Sequence, residues 1–101
     1  MTTKSATKVL RSQVGPFSFA IFLLGIRATM NLTQAALAKK LGISKSAVCE
    51  IEKGRTLVSP EAAVRYARKA GFSLTVAIEA CLQDQLTKAK IKKRVRLEDA
   101  A

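Results

Sequence analysis

Four times in this chain a hydroxyl residue opens a run of helical periodicity, and in three of the four a glycine closes it: Thr33 to Gly42, Ser44 to Gly54, Ser59 to Gly71, and Ser73 onward. A Ser or Thr oxygen accepts one of the amide protons that a first helical turn leaves unpaired. Glycine enters the left-handed conformation that ends a helix at no steric cost. This punctuation constrains the fold more than any other feature, because it cuts the middle of the chain into helices too short to persist alone. They must be held by packing. The pattern predicts helices over 34–41, 44–53, 60–70 and 74–88, with Ser59-Pro60 placing a cap directly before a proline at the first helical position.

Ahead of these, Gly15-Pro16 breaks the chain and predicts a helix beginning near Pro16. Phe19, Phe22, Leu23 and Ile26 recur at helical spacing, while Phe17, Ile21 and Leu24 fall off that stripe. The helix is therefore apolar over more of its girth than one packing face requires. Residues 1–13 are polar and basic without a core pattern and read as a flexible arm or a short edge strand. In the fourth helix Ala63, Val64 and Ala67 point inward; in the fifth, Leu74, Ile78, Cys81, Leu82 and Leu86 form the expected buried stripe. Residues 89–101 change period: Ile91, Val95 and Leu97 recur at even spacing with cations between them, which suits a short strand that would pair with a second subunit or another protein. The sum is an all-α, five-helix bundle spanning 16–88, with a basic tail.

A chain of 101 residues is one domain that buries about two thirds of its unfolded surface. Its charge is lopsided: 18 Lys and Arg against 7 Asp and Glu give +11. A field of that sign attracts polyanions. The two cysteines, Cys49 and Cys81, stand apart, and there is no histidine, so the usual Cys/His zinc sets are excluded. Without histidine there is no Ser-His or Cys-His nucleophile, and no glycine loop to cradle a phosphate; neither an enzyme nor a cofactor is expected. Reduced thiols fit the cytoplasm. The run VGPFSFAIFLLGI falls short of the ~20 apolar residues of a membrane span and reads as a buried helix, leaving no membrane partner.

The stretch LGISKSAVCEIEKG, residues 41–54, answers what the basic charge is for. Leu41, Ile43, Val48 and Ile51 occupy one side of the helix, and Lys45, Ser46, Cys49, Glu50 and Lys53 the other. With Ala38 small at the crossing and Gly42 at the turn, 34–53 has the layout of a helix-turn-helix whose second helix faces outward. The wider text IRATMNLTQAALAKKLGISKSAVCEIEKGR, residues 26–55, resembles the phage-repressor and Cro-like helix-turn-helix family, also called xenobiotic-response-element regulators.

That resemblance implies double-stranded operator DNA as partner and assigns roles by position. Gln34 matches a residue that touches a phosphate and steadies the recognition helix, and Ser44 stands at that helix's first turn. Lys45, Ser46 and Glu50 match base-reading positions: Lys donates to guanine, Ser is permissive, and Glu accepts from cytosine N4. Lys53 and Arg55 match phosphate contacts. Cys49 departs from the usual polar residue and reads bases poorly. Glu50 faces phosphate repulsion unless Lys45 or Lys53 offsets it. Arg27 matches the family position that pairs with the carboxylate of Glu52, a structural ion pair between the first and third helices. Lys39 and Lys40 read as solvated surface.

Beyond the motif, KGRTLVSPEAAVRYARKAGFSLTVAIEACLQDQL and the basic tail resemble HigA-type antitoxins. That implies a homodimer that represses its own operon and sequesters a ribonuclease toxin. A stand-alone repressor without a toxin shares the DNA site. A basic protein acting at a membrane surface or on RNA is a third class, and would bind regardless of Lys45 and Glu50. The fifth helix completes the core, forms a dimer surface, or both.

Overall fold

The computed structural model describes residues 17–98 and 100. Among them are five α-helices: α1 Phe19–Met30, α2 Gln34–Leu41, α3 Lys45–Glu52, α4 Pro60–Ala70 and α5 Leu74–Lys88. Each starts at a hydroxyl cap. Ser18, Thr33, Ser44, Ser59 and Ser73 accept the backbone N–H three residues on at 3.0–3.2 Å, each contact contributing roughly 1 kcal/mol. The first helix begins at Phe19 rather than near Pro16, because extended Ser18 supplies the cap. Pro16 and the arm of residues 1–13 lie outside the described residues.

The helix ends follow the same local chemistry. Gly42 and Gly71 adopt positive φ (74° and 77°), and the amides that follow close back onto Ala38 and Ala67. At Gly42 a Cβ would also meet the Lys69 ammonium at 2.9 Å, where Lys69 Nζ donates to the Leu41 carbonyl at the end of α2. Past α5 the left-handed position is held by Lys90 at φ 61°. A side chain there is strained, so Lys90→Gly is expected to raise stability by about 0.5–1 kcal/mol in a thermal melt. An unchanged or lower melting temperature would show that this end is held by other contacts.

The core lies where α1 crosses the others. Phe19, Phe22, Leu23 and Ile26 are all buried, against Leu37 and Leu41 of α2, Val48 and Ile51 of α3, and the alanines of α4. Phe22 meets Phe19 with tilted rings, 5.2 Å between ring centres, and Phe72 edge-on at 6.3 Å. Burying a side chain such as Leu23 contributes about 1.5–3 kcal/mol. Of the off-stripe residues, Leu24 is left exposed. The axes of α1 and α2 differ by 105°, and among the described residues no single helix is long and apolar enough to cross a membrane.

α5 packs differently from expectation. Of Leu74, Ile78, Cys81, Leu82 and Leu86, only Cys81 is in the core; the buried positions are Ala77, Ala80, Cys81 and Gln83. Small residues let α5 lie close to α1 and α4, and that closeness turns the larger side chains to the flanks. The Cys81 thiol donates to the Val58 carbonyl at 2.8 Å, and burial, then the nearby Asp84 charge, pushes its pKa up. Asp84 accepts the Phe19 N–H at 3.1 Å and so ties α5 to the start of α1; burial raises its pKa too.

The tail does not form a strand among the described residues. It runs back along α5, and side chains of that helix take the bonds a neighbouring strand would offer. Gln83 Nε2 donates to the Lys93 carbonyl at 2.9 Å, Gln83 Oε1 accepts from Val95 N–H at 2.8 Å, and Glu79 Oε2 accepts from Leu97 N–H at 2.9 Å. A lone strand needs a partner for its backbone, and here two helix side chains serve.

Candidate nucleic-acid interface

The site rests on α2, the turn at Gly42 and α3. Val48 and Ile51 point into the core from one side of α3. That fixes the opposite side outward: Lys45, Ser46 and Lys53 are exposed, and Cys49 and Glu50 half-buried. Ser44 sits at the N-cap with its oxygen engaged by Ala47 N–H at 3.0 Å, and Arg55 lies exposed in the following loop.

Beneath this surface α3 is held by a charged network. The Glu52 carboxylate, 5% exposed, accepts from Arg27 Nη1 at 2.9 and 3.2 Å and from Gln34 Nε2 at 2.8 Å. Arg27 Nε also donates to the Leu32 carbonyl at 3.1 Å. One carboxylate therefore joins α1, the first residue of α2, and the end of α3. Gln34 directs its amide into this network. Its backbone N–H, in the first turn of α2, remains among the amides that a helix leaves unpaired.

Glu50 pairs neither with Lys45 nor with Lys53. Its partner is Arg55, at 3.5 Å, and the Arg55 N–H also donates to the Glu50 carbonyl at 3.0 Å. The loop doubles back at Gly54 and brings residue 55 over the last turn of α3, which linear helical spacing does not reveal. The Arg55 side chain is well exposed and that of Glu50 about half exposed, so the pair contributes little to stability. It does hold both groups at one edge of the outward surface.

Sequence reasoning did not place Thr56 or Ser59 at this site. They line a cleft of about 460 Å³ beside Ser46 and Glu50, between α3 and the start of α4. The only signal for them was the Ser59 cap, which speaks of helix initiation and not of proximity to α3. Lys69 at the end of α2 was likewise unforeseen, because its partner Leu41 is distant in sequence.

No curated protein and no solved structure gives a significant match. A family model described as helix-turn-helix matches residues 25–76, just over half of the chain. The matched span holds the second half of α1, the whole of α2, α3 and α4, and the Arg27–Glu52–Gln34 network that joins three of them. On that match and this geometry, the chain belongs to the helix-turn-helix family in its repressor and Cro-like form, and is a DNA-binding transcriptional regulator.

Proposed function

We propose that the protein is a repressor that binds a specific double-stranded operator as a homodimer, and that it is the antitoxin of a type II toxin–antitoxin pair. The observation that carries the DNA half is the division of α3, with Val48 and Ile51 buried and Lys45, Ser46 and Glu50 presented together on the outer side. In a major groove Lys45 donates to guanine O6 or N7, and Glu50 accepts from cytosine N4 once base contact replaces Arg55. The backbone amides at the start of α2, including Gln34's, face a phosphate. Lys53 and Arg55 take further phosphates. Cys49 contributes contact area only.

Dimerisation is supported by the apolar surface the fold leaves uncovered: exposed Leu24, Leu57 and Leu74, with Ile78, Leu82 and Leu86 half-buried on α5. Two recognition helices about 34 Å apart would then meet successive major-groove turns. The antitoxin half is supported by the likeness of residues 53–86 to HigA-type antitoxins and by a basic tail moored on α5.

The test is footprinting on the DNA upstream of the gene, together with co-purification of the product of any adjacent short reading frame. Protection of an inverted repeat plus a co-purifying ribonuclease supports both halves. Protection alone leaves a stand-alone repressor, and protection of nothing specific overturns the reading. Within it, Arg55→Ala is expected to weaken binding to every duplex alike and to reduce the slope of log affinity on log salt by about 1. A slope equal to the parent's would remove Arg55 from the phosphate contacts.

A further inference from the structure

The tail carries more order than a solvated run of cations needs. Successive residues of an extended chain direct their backbone groups to opposite edges. Here the Lys93 carbonyl and the Val95 and Leu97 amides all turn to one edge, where Gln83 and Glu79 satisfy them. Gln83 is 6% exposed and uses both ends of its amide for this. The opposite edge belongs to Arg94 and Arg96, and among the described residues their backbone groups bond to nothing. One edge of this segment is held in register by helix side chains, and the other side is open.

We infer that this open edge, over residues 93–97, is a docking edge for an extended, acidic segment of another protein, which joins it as an added strand. Such addition takes its affinity from main-chain hydrogen bonds and its selectivity from flanking side chains. The flanking side chains here are Lys92, Lys93, Arg94 and Arg96, all exposed. A second copy of the tail would set like charges directly opposite one another, which is unfavourable, and lysines on an edge discourage self-pairing for that reason. An acidic strand meets the opposite balance. Duplex DNA would match the charge, but phosphate binding is served equally by a loose basic tail and makes no use of a backbone edge held in register. Ile91, exposed at the start of the tail, offers an apolar contact to the added segment. The inference deepens the partner half of the proposed function and rests on the protein having a protein partner, independently of the operator.

Amide hydrogen exchange by NMR on the full chain tests it, with a short capped peptide alternating glutamate and valine as probe. In the free protein the Val95 and Leu97 amides are expected to exchange more slowly than those of Arg94 and Arg96. At saturating peptide the Arg94 and Arg96 amides should slow at least about tenfold, since exchange from a bonded amide requires opening. The double variant Arg94→Glu, Arg96→Glu should lose the peptide, and so should Gln83→Ala, which releases the inner edge. If Gln83→Ala does not fold, the charge reversal alone carries the comparison. Peptide binding with no slowing at Arg94 and Arg96 would reduce the contact to charge and overturn the docking edge. Absence of binding would overturn it too, as would the same slowing produced by duplex DNA and not by peptide. Failure of a toxin to co-purify bears on the identity of the partner; the exchange result stands or falls separately.

Discussion

Glu52→Ala is expected to lower stability by about 2–4 kcal/mol while leaving the preferred operator unchanged. The Glu52 side chain is 5% exposed, and its carboxylate is the common acceptor of Arg27 and Gln34. Deleting it strands a guanidinium that is itself about three-quarters covered. Removing one partner of a buried ion pair costs more than the pair contributes net, because the survivor stays desolvated without compensation. The residual exposure of Arg27 places the estimate below the range for fully buried pairs. For a chain of this length the fall corresponds to roughly 10–25 °C in Tm. Glu52→Gln keeps an acceptor and is expected to lie between parent and alanine. A melting temperature within a degree or two of the parent would mean the network does not brace α3, and a changed base preference would mean that Glu52 acts in recognition.

Lys45→Ala should do the reverse, with the melting curve almost unmoved and discrimination between operators reduced by about 1–3 kcal/mol per affected contact. Lys45 opens α3 on the exposed side and makes no ion pair among the described residues. Its loss therefore removes little from the folded state. Competition binding against duplexes altered one base pair at a time is the measurement, and selectivity should collapse at one or two positions only. Equal weakening across every duplex would make Lys45 a phosphate contact. Retention of full selectivity would place base reading elsewhere on the surface, with the cleft bordered by Ser46, Thr56 and Ser59 the next place to look.

The two substitutions separate because α3 has two faces, and that division was legible in the order of residues. Every helix start among the described residues is a Ser or Thr cap, and Gly42 and Gly71 mark two of the ends; these are interactions within a few residues, which local chemistry decides. The buried stripe of α1 was legible for the same reason, since four apolar residues at helical spacing have one way to face inward. The burial of α5 was not. Its larger apolar residues suggested one stripe, while contact with α1 and α4 selected Ala77, Ala80 and Cys81.

By itself, then, the order of residues determined, to within a residue, where α2 to α5 begin and end, the inward face of α1, and the outward row of Lys45, Ser46 and Glu50. Only the tertiary structure decided that Glu50 pairs with Arg55, that Gln34 turns inward to Glu52, that Lys69 reaches Leu41, and that Gln83 and Glu79 hold the tail. The physical reason is range. Caps and periodicity act within a turn or two of one helix, whereas a polar side chain's partner is whichever group packing delivers within about 3 Å, and close packing of small residues settles that for the whole bundle at once.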